Sequence, residues 1–384
     1  RIDRSRSNLL IRTQTLTVAS HSLSLSLSPS LPLSLSLRRN VVTLSTCNLN
    51  QWAMDFTGNA KRIIESCRQA KENKSSYRLG PELEICGYGC EDHFLETDTF
   101  THCWESLADI VLAGCTDGLL CDFGMPVLHR SVRYNCRILV FNRQILLIRP
   151  KCAMADNGNY RESRYFTPFR VSVPNKLDEF IVPSEYTARV RRSNLVDQTG
   201  VGSANNINEK VESTVVVPFG VGAIVTSDNV RIGSETCEEL WAPNSPHITM
   251  ALSGVDIVTN GSGSHHELRK LDTRLELIVS ATRKCGGIYL YSNQRGCDGG
   301  RLYYDGCSLI ACNGNVLAQA KQFDVKDVQV VSATMDIDDI RSYRASMPSF
   351  GNQAAELSRT NPFPFVTAPP ELKLLGDKFC RPTR

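Results

Sequence analysis

The chain has 384 residues, of which 41% are hydrophobic and 22% charged, and its formal net charge is +3. This composition supports one large or two ordinary globular domains with a substantial core, and it excludes wholesale disorder. The charge is too small to point to nucleic acid or an anionic membrane, and no apolar run reaches the length of a membrane span. The 15 cysteines are scattered, with no CxxC pair and no Cys/His cluster at zinc spacing. They read as reduced thiols of a cytoplasmic protein, and no metal site is expected.

Residues 1–39 read as a low-complexity extension outside the fold, expected to be disordered. Ser22 to Leu37 is Ser and Leu apart from Pro29 and Pro32, and Arg1, Arg4, Arg6 and Arg12 face a single acid, Asp3. That pattern suits an organelle transit peptide or a spurious extension. From residue 40 the pattern becomes that of a mixed α/β domain. A strand is expected over Val41 to Thr46, a helix over Asn59 to Glu72, a strand over Arg78 to Leu83 and a helix over Thr101 to Leu112. Strands over Leu119 to Gly124, Tyr134 to Phe141 and Gln144 to Arg149 follow, the last two joined at Asn142-Arg143.

The segment 171–211 is polar, with Arg189, Arg191 and Arg192 close together, and is expected to be a surface insertion with a solvated basic cluster. Strands over Gly220 to Thr226, Val230 to Glu235 and Val255 to Asn260 come next. A helix over His265 to Lys284 is expected, capped by Ser264 and stopped by Gly286. Asn313-Gly314 between Cys307 to Cys312 and Val316 to Gln322 is the best hairpin signal. The domain is expected to span 40–345, and the Pro-, Ser- and Asn-rich stretch 346–384 to be a linker or tail.

Chemistry is sought at strand ends. Cys237 follows the strand Val230 to Glu235 and precedes Glu238-Glu239-Leu240-Trp241, which could open a helix. A thiol there would sit near backbone N–H groups able to lower its pKa and bind an oxyanion. Glu82 and Lys151 also close strands, and could serve as proton acceptor and as a cation for a carbonyl oxygen. Each alone is weak, since a charge after a strand is ordinarily a solvated loop residue. His265-His266 reads as polar packing at a helix start, Tyr303-Tyr304 as strand core, and Gly261 and Gly263 as a tight turn.

Seven strings, in order, decide between these readings. CNLNQW (from Cys47), RLGPELEICGYGCEDHF (from Arg78), YNCRILVFNRQILLIRPK (from Tyr134) and DNGNYRESRYFTPF (from Asp156) are followed by CEELWAPNSPH (from Cys237), NGSGSHHELRK (from Asn260) and NQRGCDGGRLYYDGC (from Asn293). Together they resemble the amino-terminal domain of the glutamine-dependent NAD synthetase family, in its eukaryotic form, over residues 41–345. That domain belongs to the nitrilase, or carbon–nitrogen hydrolase, superfamily. The resemblance implies a four-layer α-β-β-α sandwich and a Glu-Lys-Cys triad, with Glu82 as base, Lys151 as lysine and Cys237 as nucleophile. It further implies Glu162 as supporting glutamate, the Glu238 N–H as oxyanion donor, and Ser264 and Lys270 as contacts to the amino-acid end of glutamine. Bacterial members place a tyrosine six residues after the lysine; here that position is Asn157, and Tyr160 is expected to replace it.

The family's second domain amidates deamido-NAD with ATP and Mg, using the ammonia made by the first. Its Ser-Gly-Gly-x-Asp-Ser signature is not found in this sequence. The chain therefore reads as the glutaminase part, needing no cofactor of its own, with L-glutamine as substrate, a synthetase domain as partner and a homo-oligomer as the expected assembly. Two alternatives stay open at this point: a free-standing amidase of the same superfamily, or an inactive fragment that only assembles with full-length subunits.

Overall fold

The structure, a computed structural model, describes residues 40–199 and 214–376. The extension 1–39 and part of the expected insertion, 200–211, lie outside the described residues. The first half of the chain supplies β1 (Val41–Leu49), α1 (Phe56–Glu72), β2 (Tyr77–Leu79), α2 (Thr97–Leu112), β3 (Leu120–His129), β4 (Val132–Phe141) and β5 (Gln144–Pro150). Next come α3 (Glu162–Tyr165), β6 (Asp178–Ile181), α4 (Ser184–Thr199) and β7 (Val216–Phe219). The second half supplies β8 (Ala223–Val225), β9 (Arg231–Thr236), α5 (Pro246–Leu252), β10 (Ile257–Ser262), α6 (Lys270–Cys285) and β11 (Ile288–Gly296). It ends with β12 (Tyr304–Asp305), β13 (Leu309–Cys312), β14 (Asn315–Gln319), β15 (Val328–Asp336), α7 (Ile337–Ala345), α8 (Pro348–Thr360) and β16 (Phe365–Thr367).

The main strand order is β16-β8-β9-β10-β11-β1-β2-β3-β4-β5-β7-β6, with β1 in the middle. β1 runs parallel to β2 through Leu44–Thr46 and to β11 through Asn48 and Leu49, and pairs antiparallel with β15 along its whole length. The sheet thus divides at β1 into two halves that fold face to face. Side-chain alternation shows the layering, because successive strand residues point to opposite faces. Ile288 and Leu290 of β11 join Leu120, Leu139, Ile232 and Ile257 in an apolar layer drawn from both halves. Tyr289 and Tyr291 of the same strand turn outward onto a cluster that includes Ile278 of α6 and Met250 of α5. On the other half, Cys121, Phe123 and Met125 of β3 pack with Ile63 of α1 and Leu107 of α2. Three apolar layers separate four layers of backbone, which is the α-β-β-α sandwich that the resemblance implied. Among the described residues no helix is long and apolar enough to cross a membrane, and every described cysteine is free.

Both hairpin expectations hold. Asn142-Arg143 and Asn313-Gly314 join their strands with positive φ at both central residues, 46° and 65° in one and 48° and 87° in the other. This is the twist-matched two-residue turn. Four expectations need correction. The strand at Arg78 ends at Leu79, because Gly80-Pro81 leaves the sheet and gives both carbonyls to the Arg137 guanidinium, at 2.7 Å each. The helix expected from His265 begins at Lys270, so Ser264 is no cap; Arg269, with φ of 66°, precedes the first turn instead.

The third correction concerns the polar insertion: residues 171–199 are not a structureless loop. β6 pairs with β7, and Phe180 stacks on Trp104 and Phe219 at 5.8 and 5.9 Å. α4 lies against α2, where Tyr186 packs edge-on to Trp104 and Arg189 pairs with Asp109 and Glu105 at 2.8 and 2.9 Å. Arg189 thus ties α4 to α2 through ion pairs at a partly exposed surface. The fourth concerns the tail. α8 and β16 form within the expected linker, β16 pairs parallel with β8, and Leu372 and Leu374 enter the layer between the sheets. In the insertion the apolar residues are too few and too irregular to show a period, yet Phe180, Val182, Tyr186 and Val190 are buried in the core, while Val171, Val173 and Ile181 stay exposed. Tyr186→Ala should lower unfolding free energy by about 3 kcal/mol in a urea titration; a change near zero would mean that α4 contributes nothing to the core.

Candidate active site

The strands β2, β5, β9 and β10 all end on one rim of the sandwich, and a charged or nucleophilic residue follows each. Glu82 comes three residues after β2, Lys151 directly after β5, Cys237 directly after β9, and Gly263 and Ser264 directly after β10. Carboxyl ends of strands are where open α/β sheets gather ligand sites, because the chain leaves the sheet there in short loops. Glu82 and Lys151 come from one half-sheet, Cys237 and Ser264 from the other.

Lys151 is fully buried and its Nζ donates to Glu82 Oε1 at 2.7 Å and to both oxygens of Glu162 at 2.8 and 2.7 Å. Burial alone would pull the ammonium down, but the carboxylates of Glu162 and Glu82 hold it well above the ordinary lysine range. The remaining oxygen valences are satisfied. Glu82 accepts from Asn135 Nδ2 at 2.7 Å and from the Gly263 N–H at 3.0 Å, while Glu162 accepts from the Ala155 N–H at 2.9 Å and from the Tyr88 hydroxyl. Burial pushes Glu162 up to about 7, against the pull of Lys151.

Cys237 opens a short 3₁₀ turn, Cys237–Leu240, and takes φ of 42°. A left-handed backbone at a residue with a side chain costs on the order of 1–2 kcal/mol and persists only where neighbours over-determine it. Here the Cys237 N–H donates to Asn260 Oδ1 at 3.0 Å, and the sulfur faces the same Gly263 N–H that Glu82 accepts. Burial, then the negative charge of Glu82, push the thiol above its ordinary value, with Lys151 opposing them. The resting sulfur is thus protonated at neutral pH and needs a base beside it. The strand-end thiol was expected to be acidified, so this is a reversal: the backbone donors are present, but burial and carboxylate charge outweigh them.

A cleft of about 400 Å³ opens over Cys237, lined by Glu238, Tyr160, Trp241, Ser264 and Lys270 among others. Lys270 Nζ lies 5.3 Å from the Tyr160 ring centre and 6.0 Å from that of Trp241, and 3.2 Å from Glu267 Oε1. It is the first residue of α6, where the helix dipole disfavours a cation. Tyr160 is buried; its hydroxyl donates to the Gly263 carbonyl at 3.3 Å and accepts the His265 N–H at 3.1 Å. Ser264 is held by Asn293, which accepts its N–H at 2.8 Å, and by Arg274, which reaches its hydroxyl at 3.1 Å. Glu238 faces the cleft half-buried, and burial raises its carboxyl. All eight residues expected from the sequence therefore meet at one place.

Gly261 and Gly263 do not make the expected turn. A Cβ on Gly261 would stand 2.2 Å from Arg137 Nη1, and one on Gly263 would stand 2.6 Å from the Tyr88 ring, so close approach is what they provide. Sequence reasoning also missed Asn135, Tyr88, Asn260, Arg149 and Glu239. Asn135 lies in a strand that also carries Arg133 and Arg137, so nothing in its residue type marks it out. Glu239 sits within the CEEL string but looks like any acid in a first helical turn. Among the described residues no group of three or more His, Cys, Asp or Glu side chains is placed to hold a metal ion.

The sequence profile of the carbon-nitrogen hydrolase family matches residues 43–345. The chain belongs to the carbon–nitrogen hydrolase family. This carbon–nitrogen hydrolase is 52% identical over 342 residues to the glutamine-dependent NAD(+) synthetase of Saccharomyces cerevisiae, covering 88% of this chain and 44% of that protein. It is 51% identical over 325 residues to the enzyme of the same name from Homo sapiens, covering 85% and 42% respectively. It therefore spans less than half the length of these relatives. Among solved structures, a glutamine-dependent NAD(+) synthetase from Cytophaga hutchinsonii superposes with a TM-score of 0.62 at 26% identity, covering 77% of this chain and 43% of that one. An amidase of the nitrilase superfamily from Nesterenkonia AN1 superposes with a TM-score of 0.56 at 14% identity, covering 85% and 99%, and shares the fold.

The electrostatics of the thiol are open to measurement. Iodoacetamide should label Cys237 with an inflection above that of a free cysteine, near pH 8.5. In Glu82→Gln the inflection should fall, since a negative charge is lost while Lys151 stays paired with Glu162. Peptide-resolved mass spectrometry reads both shifts, and an inflection unmoved by the substitution would show that Glu82 does not act on the sulfur.

Proposed function

We propose that this chain hydrolyses L-glutamine to glutamate and ammonia through a thioester on Cys237. What carries the reading is the convergence of Glu82, Lys151 and Cys237 beneath a cleft whose outer wall holds Lys270 between two aromatic rings. Glu82 gives Lys151 one oxygen, Oε1, and its Oε2 accepts the Gly263 N–H that the sulfur also faces, whereas both oxygens of Glu162 already accept from Nζ. Glu82 takes the thiol proton as sulfur attacks the carboxamide carbon. The C=O electron pair moves to oxygen, where the Lys151 ammonium and the Glu238 N–H receive the charge.

Collapse of that tetrahedral species breaks the C–N bond, and Glu82 returns the proton so that ammonia leaves. The same carboxylate then activates a water that adds to the thioester, and breaking the C–S bond restores the thiol and releases glutamate. Glu162 keeps Lys151 charged throughout. Lys270 pairs with the α-carboxylate of the substrate, and Ser264 and Tyr160 bound the amino-acid end. Lys151, needed as a cation, is surrounded by carboxylates that guarantee its proton.

We further propose that the ammonia serves an ATP- and Mg-dependent amidation of deamido-NAD by a synthetase half such as the longer relatives are named for. The reading extends to a cytoplasmic homo-oligomer, in keeping with free thiols throughout the described residues. Cys237→Ala should reduce ammonia release from L-glutamine to background, and Glu82→Gln should lower kcat by about 10²–10⁴-fold. Lys270→Ala should raise KM for glutamine about tenfold or more while changing kcat little, as expected for a lost charge-assisted contact. Release from acetamide or asparagine but not glutamine would replace this substrate with another amide.

A further inference from the structure

Besides the triad, one buried carboxylate touches the backbone beside two of its members. Glu239 is fully buried, and its Oε2 accepts the Thr236 N–H at 2.6 Å, one residue before Cys237. Its Oε1 accepts the Cys152 N–H at 2.5 Å, one residue after Lys151. Arg149 Nη1 bridges both oxygens at 2.7 and 2.5 Å, from strand β5 two residues before Lys151. A single side chain therefore joins the end of β9, carrying the nucleophile, to the end of β5, carrying the lysine. These strands lie in opposite half-sheets and are not neighbours in the strand order.

We infer that Glu239 is a positioning residue that sets the separation of Cys237 from Lys151 by clamping the two backbones that carry them. The inference rests on the glutaminase reading for its reaction, but the geometry stands apart from the substrate. Three features favour clamping over simple packing. The donors are two main-chain N–H groups, so the carboxylate fixes backbone and not rotamers. Both bonds are short and charge-assisted, the kind with the steepest dependence on distance. The Arg149 guanidinium is buried with Nε and Nη2 unpartnered among the described residues, a poor arrangement for stability alone. What Arg149 does achieve is to neutralise the clamp and hold it over the gap. The left-handed backbone at Cys237 lies between Thr236 and Glu239, inside the loop that the clamp closes.

Aspartate keeps the charge and the Arg149 pair but is one methylene shorter, so it cannot reach both N–H groups at once. The purified full chain, its Glu239→Asp variant and, should that variant not fold, Glu239→Gln are compared for glutamine hydrolysis, normalised to the amount of alkylatable Cys237. A drop in kcat of at least tenfold with KM within threefold of the parent is expected. A residue that only stabilises the fold would lower the melting temperature and leave kcat per reactive thiol alone; kcat within twofold of the parent overturns the inference. If the parent releases no ammonia from glutamine, the glutaminase reading fails but the clamp remains testable. The rate of carbamidomethylation of Cys237, relative to exposed Cys297, should then fall at least fivefold in the variant as the Lys151 cation recedes from the sulfur. An equal or faster relative rate overturns it.

Discussion

One ammonium between two carboxylates, all three out of water, is the constraint around which this end of the molecule is arranged. Taking such charges into the interior costs several kcal/mol per ion, and it is tolerated only where every remaining lone pair finds a donor. That requirement explains residues with no part in bond-making. Asn135 and the Gly263 N–H complete Glu82; the Ala155 N–H and Tyr88 complete Glu162. It also explains why Gly263 cannot carry a side chain, since Tyr88 must come within contact of it to reach Glu162. The net charge of the cluster is minus one when all three groups are ionised, and that excess adds to burial, the larger cause, in keeping the Cys237 thiol neutral.

A neutral resting thiol has a functional logic. A buried protein with many cysteines is exposed to alkylating and oxidising agents, and a preformed thiolate would be the first to react. In the proposed reaction nucleophilicity is called up by the substrate: the carboxamide carbon arrives, the proton moves to Glu82, and the charge passes to an oxygen that Lys151 and a backbone N–H receive. In that proposal the lysine is the fixed charge of the site and the glutamate its mobile proton carrier.

Strands β1 to β5 and β8 to β10 and the two hairpins were legible in the sequence because alternation and Asn-containing turns are local signals, whereas the nine-residue strands β11 and β15 were not anticipated. The convergence of Glu82, Lys151 and Cys237 was anticipated from ordered motifs more than from position, since Glu82 or Lys151 alone looks like any loop charge. Three things were hidden. Helix α4 and strand β16 have apolar residues spaced for partners distant in sequence, such as Trp104 for Tyr186, and no local period reveals them. The start of α6 was misplaced because Ser264 is a good cap by residue type; its N–H and hydroxyl are taken instead by Asn293 and Arg274 from elsewhere in the fold. Glu239 was invisible because burial, not identity, distinguishes it from the exposed acids that open most helices.

The position of β1 has a wider consequence. It is the strand on which the two half-sheets meet, and the bonds that close the site all cross that seam: Gly263 to Glu82, Gln294 to the Glu82 carbonyl, and Arg149 to Glu239. Each half has its own covering helices and its own apolar layer, so a small slip of one against the other would leave helices and strands intact. Such a slip would nevertheless pull Glu82 and Lys151 away from the sulfur. Activity is therefore the finest gauge of this fold's alignment, and it will fade under mild heat or denaturant while the far-ultraviolet signature of the backbone still looks native.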